Sequence, residues 1–375
     1  MTAPDFAVAS LQATSPGTPI DVFADRSTVP GGPGARLRWI RERARAFRAE
    51  FAATGTPDLV STHPLTTLPY PTRFGLWRAP RTPAPFLVIT NRMLIIRWHE
   101  PGGRRRTLLF EPSDIALGRN TPYFAALAAK APGFLRRFVA VEYGTVPGHL
   151  AAAGIDPAEV DYLVFDHLHT QDVRRWIGIT RPQADLSPDL PVEPLFPNAK
   201  LIAQRTELEA MADLHPLQKP WYQPDAYRDL RTDHVLAIDG DVLLGPGVAL
   251  LSTPGHVLGN QTLVLNTGTG IWASSENAIA AECLVPRQSR IPGLSGWSRR
   301  WDQEVILNAN TLESTADQYA SLVLEKSIVD PSQSDARFPQ FFPSSELTAN
   351  LTSPGARPTF THRAITHGHP KGLRS

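Results

Sequence analysis

The 375-residue chain carries 37 Lys plus Arg against 36 Asp plus Glu, a formal net charge of +1, and 42% of its residues are hydrophobic. It is long enough to bury a large core as one or two domains, and its balanced charge creates no global field for nucleic acid or an anionic membrane. A single cysteine, Cys283, excludes an intramolecular disulfide and a cysteine-built zinc cluster.

Any metal must therefore be held by His, Asp or Glu. Cys283 lies in an apolar stretch, Ile279 to Val285, and reads as a buried structural thiol. The N-terminus lacks a basic segment followed by an apolar run, so no secretory signal is expected there, and no stretch reaches the ~18 apolar residues of a membrane span. The expected location is the cytoplasm, with neither membrane nor nucleic acid as partner. Assembly into a homo-oligomer is left open.

Residues 1–35, rich in Pro, Gly, Ser and Thr, predict an extended or disordered arm that adds little core. In residues 36–84, an amphipathic helix with Leu37, Ile40, Ala44, Phe47 and Phe51 at helical spacing is followed by a connecting segment. The main domain is placed at 85–345. It opens with short strands Phe86–Thr90, Met93–Trp98 and Arg106–Phe110, separated by Asn-Arg and Pro-Gly-Gly. A helix near Pro122–Ala131, a strand at Tyr162–Phe165, a strand and helix over Lys200–Asp213 and strands in Val242–Leu251, Gln261–Leu265 and Gly270–Ala273 follow. A helix over Asp302–Ser314 and a strand near Lys326–Val329 complete the pattern, and residues 346–375 read as a tail. Helices interleaved with strands indicate layered α/β packing.

The chemistry concentrates where the apolar run Tyr162–Phe165 ends in Asp166 and then His167-Leu168-His169. Imidazoles two residues apart on an extended segment project to one side, as a shared metal requires. His256 follows a Pro-Gly turn just before another strand. Three imidazoles make a three-ligand site with an open position for water. His63, His99, His149, His215 and His234 stand alone and read as ordinary surface or core histidines.

In order and context these segments resemble the metallo-β-lactamase superfamily, in its lactonase-like and glyoxalase-like branch. The resemblance rests on the strand before His167 and His169, on Thr253-Pro254-Gly255-His256, on Glu276 in IWASSENA, and on Phe196–Lys200 followed by Glu207. It spans roughly residues 85–345 and implies a four-layer αββα sandwich, here with an N-terminal extension. Two departures stand out. Gln171 and Asp172 occupy the places of the Asp and second His of the family's H-x-H-x-D-H, and the late His is replaced by the DPSQSDARFPQ segment with Asp335. His362, His367 or His369 of the C-terminal THRAITHGHP segment is an alternative source of that ligand.

The resemblance implies a metal-dependent hydrolase using a metal-bound hydroxide on a small-molecule ester, lactone or thioester. His167, His169 and His256 would hold one divalent ion, Zn before Fe or Mn. Asp172 and Glu276 would either bind a second ion or orient water, and Gln171, with Arg174 or Arg175, would contact substrate. A degenerate binding protein and an iron-dependent redox protein are the competing expectations, the latter because carboxylates suit harder ions.

Overall fold

The computed structural model describes residues 11, 15–130, 140–310, 312 and 314–368. Its strands are β1 (Thr18–Pro19), β2 (Leu59–Pro71), β3 (Phe86–His99), β4 (Arg105–Phe110), β5 (Tyr162–Val164) and β6 (Lys200–Gln204), then β7 (Val235–Ile238), β8 (Val242–Gly245), β9 (Val248–Ser252), β10 (Gln261–Thr267), β11 (Gly270–Ser274) and β12 (Ser345–Thr348). One sheet is antiparallel, ordered β1-β8-β9-β10-β11. The other runs β12-β3-β4-β5-β6-β7 with β2 also on β3, and its β4–β7 part is parallel.

The strands are apolar on both faces because both are covered. Leu94, Ile96 and Trp98 of β3, Val164 of β5, Leu250 of β9 and Leu263 of β10 meet in the core between the sheets. Their alternates, Met93, Ile95, Leu163, Leu251 and Val264, share a second core with side chains of the flanking helices, including Phe47, Leu208 and Leu322. Each such side chain, fully buried, contributes about 1.5–3 kcal/mol. On the antiparallel side the helices are α1 (Gly32–Ala53) and Thr315–Ile328, which pack on each other and on β11. On the other side Arg205–Ala212 packs on β6 and β7. The result is a four-layer αββα sandwich.

Several elements differ from the sequence reading. Asn91-Arg92 is no turn: β3 runs straight through it. The buried Arg92 donates to Glu346 Oε2 (2.8 Å) and Pro343 O (2.6 Å), with its guanidinium over the Phe342 ring. β2 is new, and its three prolines are tolerated because it is an edge strand whose one partner strand among the described residues is β3. The described residues of Asp302–Ser314 form no helix; Leu294–Trp301 and Thr315–Ile328 do, with a buried irregular stretch, Val305–Asn310, between them. The strand expected at Lys326–Val329 is the end of the Thr315–Ile328 helix, whose burial on most sides erases its periodicity. Within the arm, Phe23 is fully buried and Arg26 pairs with Asp241, so this segment does add core.

Candidate metal centre

The candidate residues lie at strand ends along one edge of the sandwich. His167 and His169 follow β5, His256 follows β9, and Glu276 follows β11. Gln261, the first residue of β10, ties the two sheets together here. Its backbone N–H donates to Asp166 O and its Nε2 to Phe165 O, both at 2.8 Å.

His167, His169 and His256 are buried, and one ring nitrogen from each falls within 4.8 Å of the others. Whether a metal suits them depends on which nitrogens keep a lone pair. The Nδ1 of His167 faces Asp166 Oδ1 at 2.5 Å, the Nε2 of His169 faces Gln218 Oε1 at 2.5 Å, and the Nδ1 of His256 faces Asn308 O at 2.7 Å. All three partners are oxygen acceptors, so each of these nitrogens carries the proton. The nitrogens left to offer a lone pair are Nε2 of His167, Nδ1 of His169, which accepts from Asn310 Nδ2 at 3.3 Å, and Nε2 of His256. Rings fixed in this way by acceptors behind them are the usual preparation of metal ligands, and the three donors match a divalent ion with one open position.

Electrostatics agree for His169 and His256. Burial, reinforced by the His167 charge, drives His256 down to about 3, and burial with the charges of His167 and His256 holds His169 well below its ordinary value. Both rings are therefore neutral and able to ligate. Burial alone would also lower His167, but the charge and hydrogen bond of Asp166 outweigh it and raise the ring to about 9. Burial pushes the Glu276 carboxyl up to about 7, against the His167 charge.

The three rings and Glu276 sit at one end of a cavity of about 670 Å³ whose remaining wall is mostly apolar, including Leu68, Pro69, Tyr70, Phe86, Ile89, Ile115, Phe124, Leu127 and Trp221. Gln171 lines it and donates to Ser113 Oγ at 3.0 Å. Asp172 and Arg174 are placed differently from expectation. Arg174 Nη2 donates to Asp172 Oδ2 at 2.6 Å, and its Nε reaches both oxygens. Both side chains are buried and neither lines the cavity. Arg174 thus holds Asp172, and among the described residues the grouped ligand atoms are those of the three imidazoles, without Asp172 or Glu276. Arg175 reaches Asp114.

The candidates for a late ligand also lie elsewhere. Asp335 pairs with Arg337, His362 donates to Pro339 O and packs on Trp272, and the backbone of His367 bridges Val60 while its ring accepts from Gly268 N. His369 lies outside the described residues. The segment that does reach the centre is Ser344-Ser345: Ser344 Oγ donates to Asp166 Oδ2 at 2.6 Å, and Ser345 lines the cavity. Sequence reading missed Glu111, Gln218, Asn308 and Asn310. Only Asp166 had a visible signal, its place directly before His167.

No family model matches the chain. Over 118 residues, 32% of its length, the chain is 29% identical to an N-acyl homoserine lactonase of Bacillus thuringiensis and covers 38% of that protein. Among solved structures it is similar to an N-acyl homoserine lactone hydrolase with N-hexanoyl-L-homoserine bound at its catalytic metal centre, at 20% identity over 66% of this chain and 88% of that one, TM-score 0.43. It is similar also to a dizinc quorum-quenching lactonase, at 12% identity over 70% and 82%, TM-score 0.43.

Proposed function

We propose that the chain is a metal-dependent hydrolase of esters, lactones or thioesters with an apolar acyl group, its ion held by His167, His169 and His256. The observation that carries this reading is the set of three imidazole lone pairs, each fixed by an acceptor behind the ring, at the head of a largely apolar cavity. The chemistry a divalent ion supplies when bound there is Lewis acidity and a coordinated water whose pKa falls from 15.7 towards ~7. The protein does the rest. Glu276, on the cavity wall beside the rings, takes the water's proton and returns it to the leaving oxygen or sulfur. The apolar wall from Leu68 to Trp221 binds the acyl chain and excludes bulk water, strengthening every polar contact within. Gln171, held by Ser113, offers its amide to the substrate's polar end.

The test is a panel of lactones, esters and thioesters of increasing acyl length, assayed with the protein loaded with Zn, Mn or Fe. Hydrolysis is expected, with KM falling as the chain lengthens, and replacing both His167 and His169 by Ala should remove metal and activity while the domain stays folded. A protein that binds metal but is inert on every substrate would overturn the hydrolase reading, and one that retains its metal in the double variant would overturn the ligand assignment.

A further inference from the structure

The resemblance implies a second ion beside the first, and the residues facing that place do not fit one. Asp172 stands where the pattern has an imidazole, yet Arg174 takes both its oxygens: Nε donates at 3.0 and 3.2 Å, Nη2 at 2.6 Å, and the Arg174 backbone N–H at 3.2 Å. The same guanidinium donates to both oxygens of Asp185, at 3.0 and 2.7 Å, and to Gln183 Oε1 at 2.5 Å. Turning Asp172 onto an ion would take from a buried guanidinium that cannot lose its proton the buried one of its two carboxylates, leaving it the exposed Asp185, a cost that one new ligand does not repay. Gln171, in the place of the preceding carboxylate, is a neutral amide. On the far side stand Ser344, spent on Asp166, and Ser345. Of the described side chains named here, only Glu276 is a ligand of ordinary strength.

We infer that the chain holds a single metal ion, and that Arg174, clamped between Asp172 and Asp185, takes the place of the second. The guanidinium supplies fixed positive charge that neutralises Asp172 and braces the loop carrying His167 and His169. This inference rests on the metal-site reading above and adds to it the number of ions and the device that sets that number.

The test is stoichiometry. The full-length protein is stripped with chelator, titrated with Zn²⁺ in excess, desalted and analysed for zinc per chain. One equivalent is expected. Two would overturn this inference alone, and none would bring down the metal reading with it. Two variants then separate the parts. Gln171→Asp with Asp172→His restores the family's ligands but keeps Arg174, and should stay at one equivalent. Adding Arg174→Met should raise uptake to two. If the double variant takes up a second zinc as readily as the triple, Arg174 is not what excludes it. Circular dichroism checks that each variant folds, and should the triple variant fail to do so, the wild type and the double variant still decide the matter.

Discussion

The two segments that present the imidazoles are held by different physics. The loop from Asp166 to Arg174 is anchored by ionisable groups: Glu111 accepts from Asp166 N at 2.6 Å, Asp166 backs His167, Glu207 accepts from Leu168 N at 2.7 Å, and Arg174 grips Asp172. The turn from Thr253 to His256 is anchored mostly by neutral groups. His256 N donates to the Asn277 amide, Asn260 Nδ2 to Thr253 O, and Gln318 Nε2 to Asn308 O, with one carboxylate, Glu325, behind them. The reason is local topology. The turn links β9 to β10, whose register clamps it on both sides from Ser252↔Gln261 onward. The loop leaves a three-residue strand, β5, through Thr170 at φ +61, and its chain does not rejoin the sheet until Lys200. A segment with so little pairing near it needs stronger side-chain anchors. Any acceptor can fix an imidazole, whereas a charged one also ties the segment to pH.

The sharpest way to break this contrast is Asp166→Ala. The substitution leaves His167 and Ser344 without their acceptor, and removing one partner of a buried ion pair costs about 3–5 kcal/mol. Loss of a group that orients a ligand typically weakens metal binding by about 10–100-fold. Chelator competition should show that loss and denaturant unfolding the stability cost. Metal affinity equal to wild type would mean that His167 is oriented by packing alone.

The parts legible in the sequence are those whose signal is local. His167-Leu168-His169 at a strand end and the Pro-Gly turn before His256 carry their meaning within a few residues, and Cys283 is buried as its apolar setting suggested. What could not be read is joined across long separations. Gln218 meets His169 from 49 residues away and Asn308 meets His256 from 52, and neither neighbourhood has any pattern that marks it. Asp172 and Arg174 are two residues apart, yet nothing in that spacing says that the guanidinium folds back onto the carboxylate and takes it from the centre. β2 was hidden by its own prolines, which mimic a connecting segment until its place at a sheet edge is known.

The neutral bracket has its own titrating group. Glu325 Oε1 accepts from Thr262 Oγ1 at 2.6 Å, Ser275 Oγ at 2.7 Å and Asn277 Nδ2 at 3.0 Å, yet burial still pushes its carboxyl from 4.5 up to about 7. A carboxyl raised in the folded state keeps its proton where the unfolded chain has lost it. This contribution is therefore largest below pH 4.5 and is lost as pH rises to about 7. Moving the carboxyl from 4.5 to about 7 corresponds to about 3–4 kcal/mol. Glu325→Gln should flatten that fall, so the stability difference between wild type and variant should shift in the variant's favour from pH 5 to pH 7.5. The amide accepts less well from three donors, which costs a pH-independent amount on top. A difference that does not change with pH would show that Glu325 is ionised throughout.

The smallest effect is expected at the edge of the charged bracket, and it asks whether that bracket works as a unit. Tyr222 donates its hydroxyl to Glu207 Oε1 at 2.7 Å, the same oxygen that accepts from Leu168 N, and its ring lies edge-on to His169 at 4.7 Å between centroids. Tyr222→Phe keeps the ring, and so the packing that steadies His169, while removing one of two donors from a buried carboxylate. A single hydrogen bond to a charged group contributes about 1.5–3 kcal/mol, but phenylalanine leaves no polar atom of its own unpaired, so the net loss should lie near the low end of that range. Metal affinity should change by less than about threefold, because the bond from Glu207 to Leu168 N, which sets the backbone between the two imidazoles, is untouched. Unfolding by denaturant and zinc competition measure the two quantities separately. If the stability loss is as expected but affinity falls by tenfold or more, the two contacts of Glu207 are coupled, and the loop that carries His167 and His169 moves as one piece with the segment carrying Tyr222.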